Sequence, residues 1–195
     1  MTETDPFTRF ALEYERASDT EEFEASRCAL GTADGQGRPS VRFVLLKGFD
    51  SRGFVFYTNF GSAKAAHLDV NPYAEMAFHW HSIGIQIRVR GSVERVSDEE
   101  ADAYFASRDR GSQIGAWASK QSEVLDARES LEVAVRETAS RFEHVSVPRP
   151  PHWGGYRIAA SAIEFWHNHD DRLHDRWLYE RHGVGGEWRI VRLDP

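Results

Sequence analysis

Two cations interrupt an otherwise apolar, β-prone run. In SVRFVLLKGFDSRGFVFYTN, Ser40 to Asn59, Arg42 and Lys47 sit among Val, Phe and Leu. A charge set into a core strand is costly unless an anion meets it, so both residues point to anion binding. They lie five positions apart, and strand alternation predicts opposite faces. The following GSAK, Gly61 to Lys64, places small residues and a lysine at a helix start, which suits phosphate. With Tyr57 and Thr58 at the strand end, Arg42 and Lys64 offer two charges and several donors around one anion. A second set, Lys47, Tyr104, Arg108 and Ser112, carries an ammonium, a phenol, a guanidinium and a hydroxyl. Tyr104 and Arg108 are four apart and share a helix face. Brought together, the four would clamp a monophosphate. By residue type alone, a solvated helix end suits Tyr104 and Arg108 better. The third set is RLHDR, where a strand would aim Arg172, His174 and Arg176 the same way.

Other chemistries find less support. No G-x-G-x-x-G follows a strand, and there is no Walker lysine loop or G-x-S-x-G elbow. His79/His81 and His167/His169 have the spacing of strand metal ligands, but without a Cys or H-E-x-x-H partner they read as surface or core histidines, and no metal is expected. A net charge of −7 argues against a general nucleic-acid binder. Against that acidic background the three lysines, Lys47, Lys64 and Lys120, all fall in the motif stretches. No apolar run approaches ~18 residues and no signal-peptide pattern opens the chain, so no membrane is expected. Cys28 is the single cysteine, which excludes an intrachain disulfide and fits a reducing cytoplasm.

The elements that must position these residues follow from periodicity and punctuation. At 195 residues, 41% hydrophobic and 28% charged, the chain fits one well-buried domain. Asp5-Pro6 caps a first helix carrying Phe7, Phe10, Ala11 and Tyr14, and a short second helix is predicted over Thr20 to Ala25. Cys28 to Ala33 reads as a strand and DGQGRP as a turn. Val41 to Lys47 and Phe54 to Thr58 read as a hairpin with a loop longer than two residues, Gly53 taking a positive φ. Ala63 to Val70 should be helical, stopped by Asn71-Pro72. AEMAFHWH and IQIRVRGSVERV alternate as paired strands. Ser97 and Glu100 form a capping box for a helix to about Ser107. DRGSQIGAW reads as a loop, Ser122 to Phe142 as the longest helix and PRPPHWGG as a connection. Three strands end the chain: Tyr156 to Ile158 running on to Ala162 to His167, then Arg172 to Arg181, then Glu187 to Leu193, with HGVGG joining the last two. The predicted class is α+β, mainly β: an antiparallel, closed or partly closed barrel with peripheral helices.

RFVLLKGFD, FVFYTN, SAK, SRDRGSQIGAWASKQS, WGGYRI, EFW and RLHDRW occur in this order and spacing. They resemble the pyridoxamine/pyridoxine 5′-phosphate oxidase family, over about Asp5 to Pro195. The resemblance implies an FMN-binding split barrel over residues 1–195, with an N-terminal helical segment at 5–25 and C-terminal strands at 156–195 completing the site. It also implies a homodimer with two flavin sites at the subunit interface. It assigns Arg42, Phe43, Val44, Leu45, Lys47, Tyr57, Thr58, Ser62, Lys64, Gln86, Gln121, Ser122, Trp166 and Arg176 to FMN, although Trp166 by composition alone is a core aromatic. It assigns Lys47, Tyr104, Arg108 and Ser112 to the substrate 5′-phosphate, and Arg172 and His174 to the substrate ring as the catalytic pair. The implied reaction turns pyridoxamine 5′-phosphate or pyridoxine 5′-phosphate into pyridoxal 5′-phosphate, with substrate C4′ against flavin N5 and O₂ reduced to hydrogen peroxide. The alternatives are a split-barrel flavin oxidase of the phenazine-biosynthesis type and a non-catalytic flavin or pyridoxal-phosphate carrier. Three departures stand out. Ala63 replaces the family's usual Arg before the Lys, and HNHDD, His167 to Asp171, replaces a Gln-Gly-containing turn. Only Met1 to Thr4 precede Asp5, where relatives often carry an arm over the substrate, so that lid is expected to be absent or to come from elsewhere.

Overall fold

The computed structural model describes residues 4–183 and 185–195. The arm position at Met1 to Glu3 and Val184 of HGVGG lie outside the described residues. Helix α1 (Pro6–Thr20) starts where Asp5 accepts from the Phe7 and Thr8 amides, with Pro6 at its first position. It buries Phe7, Phe10 and Ala17. Phe10 meets Phe49, Phe54 and Phe78 edge-on at 4.8–5.2 Å between ring centroids, the geometry aromatic pairs favour. Residues 21–26 are not helical, contrary to expectation, because α1 runs on to Thr20 and the chain then turns into the sheet.

Among the described residues nine antiparallel strands form the sheet: β1 (Arg27–Ala33), β2 (Pro39–Leu45), β3 (Gly48–Asp50), β4 (Gly53–Asn59), β5 (Tyr73–Trp80), β6 (Ile85–Arg95), β7 (Trp153–His167), β8 (Asp175–Glu180) and β9 (Arg189–Leu193). Their order is β2-β1-β5-β6-β7-β4-β3, with β8 on β7 and β9 on β8. The predicted 41–47/54–58 hairpin does not form. β2 pairs with β1 through the DGQGRP turn, and β4 pairs with the short β3 through a two-residue turn, Asp50 facing Gly53. The chain leaves β2 at Leu45, and Lys47 donates its amide to Val55 O at 2.8 Å, tying the end of the β1–β2 side to β4.

β7 is one continuous strand where two were expected. It pairs with β6 on one edge. On the other, residues 153–158 pair with β4 and residues 162–167 with β8, so the sheet divides between them. Alternation in β5 and β6 sends Met76, Phe78, Trp80, Ile85, Ile87 and Val89 into the core with Phe54, Phe56, Ile158, Ile163 and Phe165.

Helix α2 (Ala63–Val70) is capped by Ser62. Helix α3 (Asp98–Ser107) is capped by Ser97, but only half of the predicted capping box forms, since the Glu100 carboxylate binds buried Arg157 at 2.7 Å. DRGSQIGAW is not a loop. It holds α4 (Arg110–Ala118), which Asp109 caps and Ile114 anchors beside Phe105 and Phe142. α5 (Arg128–Arg141) has 14 residues, so α1 with 15 is the longer, and 122–127 stay non-helical.

Candidate functional site

β2 and the bend after it, the end of β4, α2, α3 and α4 enclose a cleft of about 570 Å³. Arg42, Phe43, Val44, Leu45 and Lys47 line it together, with Tyr57, Thr58, Lys64, Tyr104, Arg108 and Gln121. The expectation that Arg42 and Lys47 face opposite ways fails, because the strand ends at Leu45 and alternation does not reach Lys47.

One end of the cleft is cationic. Lys64 is 7% exposed. Its Nζ donates to Thr58 Oγ1 (3.0 Å), Ser62 Oγ (3.3 Å) and Gln121 Oε1 (3.3 Å). Arg42 donates to Leu30 O, Thr32 Oγ1 and Ser40 Oγ. All these acceptors are neutral, so neither charge is compensated. Burial, then the field of Arg42, lowers the Lys64 ammonium to about 8. Burial likewise lowers Arg42. Ser122, at φ 76°, accepts from the Ala63 amide at 3.3 Å and closes this end over the start of α2.

The other end is aromatic. Tyr57 stacks on Tyr104 (4.0 Å) and on Trp153 (5.3 Å), whose own ring centroids are 6.1 Å apart. The Arg108 guanidinium lies 4.7 Å above the Trp153 ring, and its Nη1 is buried with no hydrogen-bond partner. Burial raises the Tyr57 phenol to about 12 and raises Tyr104, so both stay protonated and able to donate at neutral pH. Lys47 Nζ is 3.7 Å from Glu24 Oε1. Ser112 is bonded to Asp109 at the start of α4 and does not line the cleft.

A separate surface carries the remaining residues. Gln86, Trp166 and Arg176 are register partners across β6, β7 and β8 and form one rung. The His174 ring lies 4.3 Å from that of Trp166. Arg176 Nε donates to Glu164 Oε1 at 2.8 Å. The expected RLHDR strand begins only at Asp175. Arg172 is exposed in a 3₁₀ turn with φ 61°, so alternation does not align it or His174 with Arg176. Within one chain the structure thus gathers most of the expected residues around the cleft and leaves Ser112, Gln86, Trp166, Arg172, His174 and Arg176 outside it. Sequence reasoning missed Trp153, the platform under Tyr57 and Arg108, and Glu24, the partner of Lys47. Trp153 opens WGGYRI, but no residue pattern gave it a role. Among the described residues no group of three or more His, Cys, Asp or Glu is placed to hold a metal.

The family model described as pyridoxamine 5′-phosphate oxidase matches residues 18–142. That of the pyridoxine 5′-phosphate oxidase C-terminal dimerisation region matches residues 153–195. A protein of Rubrobacter xylanophilus named pyridoxine/pyridoxamine 5′-phosphate oxidase is 52% identical over 191 residues, 98% of this chain and 87% of the relative. One of Myxococcus xanthus with the same name is 50% identical over 195 residues, 100% of this chain and 94% of the relative. Among solved structures, PhzG from Burkholderia lata 383, in complex with tetrahydrophenazine-1-carboxylic acid, superposes with a TM-score of 0.90 at 31% identity, covering 100% of this chain and 94% of that one. A pyridoxamine 5′-phosphate oxidase-related, FMN binding protein of Nostoc punctiforme shares the fold with a TM-score of 0.75 at 18% identity, covering 100% and 98%.

Proposed function

The chain belongs to the pyridoxamine 5′-phosphate oxidase family, and from that premise we propose that it is an FMN-dependent oxidase. Its substrates are pyridoxamine 5′-phosphate and pyridoxine 5′-phosphate, and its product is pyridoxal 5′-phosphate. The observation that carries this reading is the pair of uncompensated cationic centres in one cleft. Lys64 and Arg42 are surrounded by neutral acceptors, while Arg108 keeps a buried, unpartnered Nη1 at the other end. A buried charge without a partner is costly, and two phosphate groups, one from the cofactor and one from the substrate, would relieve both ends.

FMN fits this donor set. Arg42, Lys64, Thr58, Ser62, Gln121 and Ser122 would hold its phosphate and ribityl chain, with Phe43, Val44, Leu45, Lys47 and Tyr57 along the flavin. When bound, FMN supplies the two-electron acceptor and the route to O₂, which leaves as hydrogen peroxide. Lys47, Tyr104 and Arg108 take the substrate phosphate, with Ser112 at the edge of that group. Arg172 and His174 orient the ring. Because Gln86, Trp166, Arg172, His174 and Arg176 lie away from the cleft of their own chain, they serve the cleft of a partner subunit. The match of residues 153–195 to a dimerisation region supports that arrangement. The two matched segments act as one domain, since β7 pairs with β4 and β6. The lone, buried Cys28 supports a cytoplasmic setting. Among the described residues no helix is long and apolar enough to cross a membrane.

The likeness to PhzG supports the phenazine-type alternative less well. The relatives at 50–52% identity carry the phosphate-ester name, and a substrate without phosphate leaves Arg108 unpartnered. The test is cofactor choice. Apoprotein passed through gel filtration with FMN should elute as a yellow dimer carrying one flavin per chain, and with riboflavin it should elute nearly colourless. Equal retention of both flavins, or of neither, contradicts the phosphate cradle.

A further inference from the structure

We propose that His169 is a positioning residue for His174, holding its imidazole in the tautomer that presents Nε2–H to the substrate. The proposal rests on the reading that His174 faces the substrate ring. His174 Nδ1 lies 3.2 Å from the main-chain nitrogen of His169, whose N–H points at it. A backbone N–H can only donate, so Nδ1 is fixed as the lone-pair nitrogen and the proton of the neutral ring sits on Nε2. The ring is also held against Trp166, which limits its rotation.

The loop that delivers this amide is pinned from several sides. His169 Nε2 is 3.0 Å from Asp175 Oδ2, and Arg192 of β9 bonds the other oxygen of the same carboxylate. The Asn168 amide donates to Gly84 O at 2.8 Å. Asp171 and Arg172 take φ of 56° and 61°, a region that residues with a Cβ enter at a cost and keep only when their surroundings insist. The bend lies where HNHDD meets RLHDR, Asp171 ending the first and Arg172 opening the second, so it sets the path by which the chain returns from His169 to His174. Asp175 adjoins His174 in the chain, so the His169–Asp175 contact ties the donor amide and the ring into one short closed unit.

The test reads the ring directly. In ¹⁵N spectra of histidine ring nitrogens, the His174 signals, identified by their loss in His174→Asn, should show an unprotonated Nδ1 and a protonated Nε2. His169→Ala frees the loop and should mix the tautomers. It should also lower kcat for pyridoxamine 5′-phosphate by about tenfold to a hundredfold with KM little changed, the scale of a small misplacement at a reacting centre. His169→Gln, whose amide still reaches Asp175, should restore most of both signatures. A proton on Nδ1 in the wild type overturns the proposal without any variant having to fold. So does a folded, flavin-loaded His169→Ala protein with unchanged kcat. Wild-type protein that neither holds flavin nor releases peroxide would overturn the functional reading instead, and the ring spectrum would still decide the clamp.

Discussion

Lys64 is a cation folded into a place that gives it no counter-charge, and its titration follows from that. Its ammonium is lowered to about 8 from 10.5, first by burial and then by Arg42. Between those values the unfolded chain holds a proton that the folded, ligand-free protein has lost, so this group makes stability rise with pH across that window. A phosphate bound beside Lys64 acts in the opposite sense on affinity, because it needs the proton in place. FMN affinity should therefore be level below about pH 8 and fall above it, by up to about tenfold per pH unit. The flavin phosphate, with its second pKa at about 6, is already dianionic there. Fluorescence titrations with FMN from pH 7 to 9.5 check this, and Lys64→Met should remove the slope and weaken binding at pH 7 by about 1.5–3 kcal/mol. A slope that persists in the variant would assign the titration to another group. Arg42 and Lys64 were legible because each breaks a pattern, one an apolar strand and the other a small-residue helix start. Trp153 and Glu24 were not, since an aromatic at a strand start and a glutamate after a helix break nothing. Their roles come from contacts to residues far away in the chain.

Elements were legible where local signals agree with tertiary pairing. Asp5-Pro6 and Ser97 each mark a true helix start, and Ala63–Val70 is helical between the small residues of GSAK and the Asn71-Pro72 stop, as expected. Strand pairing was misread because the apolar runs of β2 and β4 follow each other closely, whereas β2 pairs back with β1 across the single DGQGRP turn and β4 pairs with β3 and β7. α4 was misread because Gly111 and Gly115 suggest a loop, and only burial of Ile114 against Phe105 and Phe142 makes the helix worth forming. Gly53 was read correctly, and the structure gives a second reason for it. At φ 145° its Cβ would lie 2.1 Å from Ile158 O, against the strand on which the sheet divides. Gly53→Ala should therefore destabilise by about 2–4 kcal/mol in equilibrium denaturation. Gly183→Ala, also at positive φ but in open space, should cost only about 1 kcal/mol. Equal losses would show that the contact with Ile158 does not matter.

At the scale of the whole molecule, the division of labour between cleft and sheet rung was not legible from composition or periodicity. Only the family resemblance suggested an interface site. In the fold, Gln86, Trp166 and Arg176 share a rung while Arg42 and Lys64 line a cleft elsewhere, the separation that the proposed interface site would bridge. If each site joins a cleft to a partner's rung, mixing Lys64→Met and Arg176→Gln chains before assembly should rescue binding. Half of the dimers would then be mixed, each with one undamaged site, returning about a quarter of the wild-type flavin capacity. No recovery would place both groups in one chain's site. The central claim, that this cleft serves a phosphorylated substrate, is tested most directly by peroxide release from FMN-loaded protein with pyridoxamine 5′-phosphate and with pyridoxamine. Two or more charged hydrogen bonds to the phosphate predict that kcat/KM favours the ester by about a hundredfold or more, and that Arg108→Ala removes most of that preference. Equal turnover of the two amines, or none of either, would contradict it.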